Sequence, residues 1–207
     1  MAEGEFFVCV TGSVEYGEFY EIDNAYCKYI YHYGPDWSVV TGIEEGLTQM
    51  CKCSSDLKRI AAWNFPLDVT FKSTIPHGWP QIVLSVYGLD LFGHDVIRGY
   101  GVCHIPFTSG RHERRIPVYV PESSSILHQI TAWITGRRPE LIQPSILASG
   151  SGRELTRMKV QGEITATFNV VLKDFYKLGY DNGDKNELLN CQTTIHSYMF
   201  EMYVKVP

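Results

Sequence analysis

Residues 160–172 alternate between apolar or small side chains and polar ones, and this alternation limits the possible folds more than any other feature of the sequence. The first set consists of Val160, Gly162, Ile164, Ala166, Phe168, Val170 and Leu172. The polar set between them consists of Gln161, Glu163, Thr165, Thr167 and Asn169. Successive side chains of a β-strand point to opposite faces of its sheet, so the pattern predicts a strand with one face in a core.

Further strand patterns occur in the N-terminal part of the chain. Residues 6–16 and 25–33 are candidate strands, separated by a segment of hairpin length. Leu67, Val69 and Phe71 alternate with polar residues, as in a half-buried strand. Residues 82–87 are apolar on both faces, which predicts a central strand covered on both sides.

A further pair of strands is predicted at residues 96–106 and 115–120, joined by a turn at 108–112. Residues 124–135 are the one predicted helix, because apolar residues recur there at helical spacing. These residues are Ile126, Leu127, Ile130, Trp133 and Ile134. Several strands with a single helix indicate an all-β fold, an antiparallel β-sandwich with one inserted helix.

The chain length of 207 residues fits one domain with an extension, and we expect the domain at residues 6–174 and the extension at 175–207. Residues 194–207 again alternate, with Tyr198, Phe200, Met202, Val204 and Val206 on one face. This segment could add an edge strand to the domain, pair with a strand of another domain, or stay unpaired and partly disordered.

Charge and cysteine content restrict the function classes. The net charge of −5 and the pI of 5.8 argue against nucleic-acid binding, which needs a strongly basic face. Six cysteines in a domain with its own core fit a reducing compartment better than secretion. No apolar stretch reaches the roughly 18 residues of a spanning helix, and the first residues do not resemble a signal peptide. We therefore expect a soluble cytoplasmic protein.

Ordered strings of residues between positions 63 and 123 closely resemble the B9 domain family. They are Trp63-Asn-Phe-Pro66, Asp68-Val-Thr-Phe-Lys-Ser-Thr74, Gly78-Trp-Pro-Gln-Ile-Val-Leu-Ser-Val-Tyr-Gly88, Gly99-Tyr-Gly101, His104-Ile-Pro106 and Val120-Pro-Glu-Ser123. The likeness is specific, because several long strings occur in the right order. It extends over residues 8–181 and fades beyond them.

The resemblance implies a C2-like β-sandwich and a role in cilium assembly. It places the protein at the transition zone above the basal body, within the Meckel syndrome complex. There, three different B9-domain proteins associate and help to control which membrane proteins enter the cilium. The implied partners are therefore other B9-domain proteins and further members of the transition-zone complex.

A local basic cluster is the main candidate binding site. It consists of Arg111, His112, Arg114 and Arg115, and it could be extended by Arg137, Arg138, Arg153, Arg157 and Lys159 if the fold brings them together. Arginine can hold a phosphate through two hydrogen bonds, and clustered cations attract anionic lipid surfaces. The cluster could therefore bind an anionic membrane surface or an acidic partner protein, or it could be a solvated face.

Metal binding and catalysis are not expected. Calcium needs converging carboxylates, and the loop aspartates lack that close spacing; they are Asp90, Asp95, Asp174, Asp181 and Asp184. Cys51 and Cys53 lack the second Cys or His pair of a zinc site. The sequence has neither a nucleophile elbow nor a phosphate-binding glycine loop. We therefore expect no cofactor and no enzymatic activity.

Two functions are compatible with these patterns and with the resemblance. The first is a non-catalytic scaffold of the ciliary gate that binds other B9-domain proteins. The alternative is a peripheral membrane module that binds phosphoinositides through the basic cluster. The alternative predicts strong salt sensitivity and loss of binding when the charges at residues 111–115 are reversed.

Overall fold

A computed structural model describes residues 4–20, 22–89, 93–121 and 158–180. Their strands are β1 (Phe6–Phe19), β2 (Asn24–His32), β3 (Trp37–Gly42), β4 (Glu45–Leu47), β5 (Cys51–Lys52), β6 (Ile60–Ser73), β7 (Gln81–Leu89), β8 (Asp95–His104), β9 (Gly110–Pro121) and β10 (Met158–Lys173). A 3-10 turn at Tyr176–Leu178 follows β10. All strand pairs are antiparallel, which confirms the predicted class. The predicted helix at 124–135 lies outside the described residues.

The described strands form one sheet that folds over on itself. Its order is β3-β6-β1-β10-β9-β8-β7-β2-β4, and β5 pairs with β2. β9 pairs with β10 along its whole length, but it pairs with β8 only where Tyr119 lies opposite Tyr100. The sheet bends at this seam, so that β3, β6, β1, β10 and β9 form one layer and the other strands form the second.

Aromatic side chains join the two layers around the core. Trp63 on β6 donates a hydrogen bond from Nε1 to the Ala25 oxygen on β2 at 3.1 Å. The ring of Tyr31 on β2 lies 5.4 Å from that of Phe71 on β6, edge to face. The predicted apolar face of β6 is buried at Leu67, Val69 and Phe71, as expected for the inner side of a sandwich.

β7 is the central strand that the sequence predicts. It lies between β8 and β2, and every residue from Ile82 to Val86 is buried. Glycines of β8 allow β9 to approach closely, because a Cβ at Gly99 would lie 2.5 Å from Val118 Cγ1. Gly101 similarly faces Ile116 Cγ2, at 3.0 Å from the position of a Cβ.

Three local predictions are corrected by the structure. β1 and β2 do not form a hairpin, because β1 pairs with the long strands β6 and β10 while β2 crosses to the other layer. β9 begins at Gly110, earlier than predicted, and its main partner is β10 rather than β8. A bulge beside Val160 leaves that side chain 47% exposed and buries Gln161 instead.

Candidate partner-binding surfaces

β9 carries four members of the predicted basic cluster, and the alternation of the strand divides them between two faces. Arg111 and Arg115 are exposed on the outer side, together with Glu113. His112 and Arg114 lie on the opposite side, which becomes buried further along the strand, although Arg114 itself is exposed. The four residues are therefore neighbours in sequence but do not share one surface.

Acidic residues interrupt the positive charge on the outer face of β9. Glu113 separates the two outer arginines, and Glu163 on β10 lies 3.8 Å from Arg115. Exposed ion pairs of this kind contribute only about 0–1 kcal/mol. Arg137 and Arg138 lie outside the described residues, so ligand binding by the whole cluster stays a prediction.

A polar depression of about 470 Å³ lies beside this face, on the outer side of β6, β1, β10 and β9. Its lining includes Ser13, Asp68, Arg111 and Asn169. The Thr167 hydroxyl donates a hydrogen bond to Glu15 Oε1 there at 2.6 Å. Hydroxyl, amide and carboxylate groups at this place suit hydrogen bonding to a polar protein surface.

A second cavity of about 900 Å³ lies against the loop before β6. Two of its cations are compensated, because Lys58 lies 3.6 Å from Glu18 and Arg59 pairs with Asp23. Burial raises the pKa of the Cys53 thiol, and the nearby Cys51 thiol adds to this effect. Metal ligation needs the thiolate, which a raised pKa disfavours.

The aspartates that the sequence suggests as metal ligands are not grouped in the part of the chain that the structure describes. Asp95 begins β8, and Asp174 follows β10 and pairs with Lys177. Asp90, Asp181 and Asp184 lie outside the described residues. Within the described ranges, no three His, Cys, Asp or Glu side chains are grouped so that they could hold a metal ion. No helix among the described residues has the length and hydropathy to cross a membrane.

Among the described residues, one segment with several exposed apolar side chains is not indicated by the sequence patterns. We call residues 37–47, which comprise β3, β4 and their link, the edge surface. β3 and β4 are the two ends of the sheet, and each pairs with one described strand only. Val40 is 50% exposed, Ile43 64% and Leu47 55%. These apolar side chains therefore lie beside backbone groups that face away from the described strands.

Trp37 fixes the beginning of the edge surface in the core. It is 4% exposed, and its Nε1 donates to the His77 oxygen at 2.8 Å. Its ring also packs edge to face against that of Trp79 at 5.1 Å. At the other end of β3, Gly42 has a φ of 104°, and a Cβ there would lie 2.4 Å from the Asp68 oxygen. A glycine is therefore required where the chain turns toward β4.

Hydrogen bonds hold the link between β3 and β4 against both layers. The backbone amide of Ile43 donates to the backbone carbonyl oxygen of Asp68 at 3.1 Å, and the backbone amide of Tyr31 donates to the backbone carbonyl oxygen of Glu44 at 3.0 Å. The Tyr33 hydroxyl donates to Glu44 Oε2 at 2.8 Å. Burial and this acidic neighbour raise the pKa of Tyr33 to about 12. The edge surface is thus a fixed part of the sandwich.

Comparison with known proteins supports the family resemblance of the sequence. The family model B9-C2, described as "Ciliary basal body-associated, B9 protein", matches residues 8–171. The chain belongs to this B9 family. The mouse protein "B9 domain-containing protein 1" is 56% identical over 178 residues, which cover 86% of this chain and 87% of the relative. The Xenopus laevis protein of that name is 54% identical over 188 residues, or 90% and 95% of the two chains.

A second group of B9 relatives is more distant. The mouse "B9 domain-containing protein 2" is 28% identical over 181 residues, which cover 87% of this chain and 99% of the relative. The C2A domain of a plant extended synaptotagmin 1 matches with a TM-score of 0.39 and 13% identity over 78% of this chain and 92% of that one, which is too distant to support an argument. The predicted B9 membership is confirmed, and the C2 in the name of the family model agrees with the predicted C2-like sandwich.

Proposed function

We propose that this chain is a non-catalytic component of the gate at the ciliary transition zone, where it binds other B9-domain proteins on the cytoplasmic side of the membrane. Its family is described as ciliary basal body-associated, which supports a position at the base of the cilium. Binding of this kind would help to build the cilium and to select the membrane proteins that enter it.

The observation that carries the proposal is the edge surface. A sheet edge that is not paired offers hydrogen-bonding groups to a strand of another chain, and many peptide and domain complexes form in this way. Here that edge also presents half-exposed apolar side chains at Val40 and Ile43. A binding role therefore has a physical basis in the fold.

The ionisable groups of the described core support a non-catalytic role. Burial raises the pKa of Cys27 to about 12 and raises the pKa of Tyr31 further above its usual value. Catalytic groups with shifted pKa values usually lie in clefts that a substrate can enter. Cys27 and Tyr31 are instead packed in the hydrophobic core. The names of the family and of the relatives describe a domain and a location, with no reaction.

Co-expression with a B9 domain-containing protein 2 of the same organism tests the assembly. We expect the two proteins to co-elute in size-exclusion chromatography, with a mass by light scattering that equals the sum of the two chains. Separate elution at concentrations of about 10 μM, which exceed the dissociation constants of most specific complexes, would contradict the proposal. A fluorescent fusion should also be enriched at the cilium base.

The phosphoinositide alternative rests on the basic cluster, in which Arg111, Arg114 and Arg115 of β9 are exposed. Flotation with vesicles that contain phosphoinositides tests it. Because Glu113 and Glu163 offset these charges, we expect weak binding that the double change Arg111→Glu and Arg115→Glu barely alters. Strong, salt-sensitive flotation that this double change abolishes would favour the alternative.

A further inference from the structure

We propose that the edge surface binds an extended strand of another B9-domain protein, and that this strand carries Lys or Arg beside its apolar side chains. This inference rests on the proposed function and assigns a place to the contact. The strand would lie along the outer side of β3, opposite β6, and would continue across the β3–β4 link.

The edge surface has a short strand and a bulge, but its residues 37–47 lack the lysine and proline that often keep natural sheet edges from pairing. Exposed edges are usually protected by lysine, proline, inward charges or a covering segment. Residues 37–47 read Trp-Ser-Val-Val-Thr-Gly-Ile-Glu-Glu-Gly-Leu and contain no Lys, Arg or Pro. A bulge at Val40 interrupts the register of β3 against β6, but regular pairing resumes at Thr41. β3 therefore offers an edge that a strand can extend.

The apolar side chains on this segment are close together in sequence. Val40, Ile43 and Leu47 are each about half exposed or more, and Met50 follows at 46%. Single exposed apolar residues are normal on a protein surface, whereas a group of them marks an interaction site. A strand paired with β3 would cover Val40 and Ile43 first, because they lie on or beside that strand.

The charge of the segment defines the chemistry of the partner strand. Asp36, Glu44 and Glu45 are exposed at the two ends of β3, and residues 35–50 contain no basic side chain. Glu45 lies 3.3 Å from Lys28. Among the described residues, no cation lies within ion-pair distance of Asp36 or Glu44. A partner strand with Lys or Arg at its ends would complement this negative charge.

The edge surface is ordered by its own fold before a partner binds. Trp37 is held by its hydrogen bond to the backbone oxygen of His77, and the Ser73 hydroxyl donates to the backbone carbonyl oxygen of Asp36 at 3.0 Å. The glycine turn at Gly42 fixes the direction of the link. A surface with a fixed shape loses less conformational entropy on binding than a mobile loop does. The site therefore suits a stable complex.

Isothermal titration calorimetry of the full chain with purified B9 domain-containing protein 2 tests the proposal. The double change Val40→Lys and Ile43→Lys adds two charges that oppose a cationic strand. We expect it to weaken binding by at least about tenfold. The matched control is Leu57→Lys, at a fully exposed residue of the loop before β6, which should leave the affinity within about twofold. Circular dichroism melting curves check that all variants are folded.

A variant and a salt series address the charge separately. Glu44→Lys should weaken binding more than Leu57→Lys does, and raising NaCl from about 0.1 M to 0.5 M should weaken binding of the wild-type chain. Equal binding by Glu44→Lys and wild type, with no effect of salt, would overturn the inference that the partner strand carries Lys or Arg.

The other outcomes separate the edge proposal from the proposed function. If the wild-type chain binds no B9-domain protein, both are overturned. If it binds and Val40→Lys/Ile43→Lys binds equally well, only the edge proposal is overturned. A homodimer that this double change dissociates would show that a second copy occupies the edge instead. Tighter binding after removal of residues 181–207, with newly exposed β3 amides in hydrogen exchange, would show that the chain's own extension occupies it.

Discussion

Trp63 is the side chain whose replacement tests most directly how the two layers are held together. It is 3% exposed, its ring lies 6.0 Å from that of Phe19, and its Nε1 donates across the core to Ala25 at 3.1 Å. Trp63→Phe removes this hydrogen bond, which contributes about 0.5–1.5 kcal/mol. The smaller ring also leaves a cavity that costs about 1–2 kcal/mol. The free energy of unfolding should therefore fall by about 1.5–3.5 kcal/mol, a large part of the roughly 5–15 kcal/mol of a domain.

Urea denaturation at 25 °C, followed by circular dichroism, measures this change without depending on tryptophan fluorescence. The control is Leu57→Ala, which alters a fully exposed side chain and should change the free energy by less than about 0.5 kcal/mol. Equal slopes against urea for the three proteins would show that the unfolding transition is the same. A loss at Trp63→Phe no larger than that at Leu57→Ala would refute a role of Trp63 in joining the layers.

Three further changes test the packing, the buried thiol and the basic face. Gly99→Ala should lower the free energy of unfolding by about 1–3 kcal/mol, because its Cβ would meet Val118 at 2.5 Å, and an unchanged melting temperature would contradict this close approach. Burial raises the pKa of Cys27 to about 12, so at pH 8 its thiol should react with a disulfide reagent far more slowly than Cys51. Equal labelling rates of Cys27 and Cys51 would argue against the burial of Cys27. Because the pKa of Cys27 is raised in the folded state, the stability that the protonated thiol contributes should be lost as pH rises from about 9 toward 12. Arg115→Ala should change stability by less than about 0.5 kcal/mol, whereas a loss above about 1 kcal/mol would show that its pair with Glu163 is structurally important.

Long strands with a steady pattern are the part of the fold that the sequence predicts well. In β10 the alternation from Gly162 to Leu172 matches the buried face, and in β7 the apolar run from Ile82 to Val86 is buried on both sides. Each of these strands has two neighbours over most of its length. The burial of their side chains is therefore repeated at many positions, and the pattern is visible without knowledge of the partner strands.

Pairing and local irregularities could not be predicted in the same way. The bulge at Val160 reverses the faces of two residues, and no local pattern marks it. β1 and β2 are separated by a short segment, yet they lie in different layers because β1 pairs with β6 and β10. β3 and β4 are short, and the aromatic and β-branched residues between Trp37 and Gly42 could have indicated only β3.

The candidate binding surfaces were predicted only in part, because whether residues share a surface depends on which face of a strand each of them occupies. The basic run in β9 is visible in the sequence, but its division between two faces follows from the register against β10. The edge surface depends on strand order, because β3 is an edge only when β6 lies on one side of it and no described strand lies on the other. Strand order is a property of the whole fold, and the local sequence does not contain it.

Hydrogen exchange of the full chain, with and without B9 domain-containing protein 2, tests most directly whether the sandwich binds its relatives through this edge. Amide exchange should slow in residues 37–43 when the partner is added, because the outward backbone groups of β3 would then be hydrogen-bonded. Amides of the loop at residues 53–59 should exchange at the same rate in both samples. Slower exchange on the outer face of β9 and β10, with unchanged exchange in residues 37–43, would contradict the account.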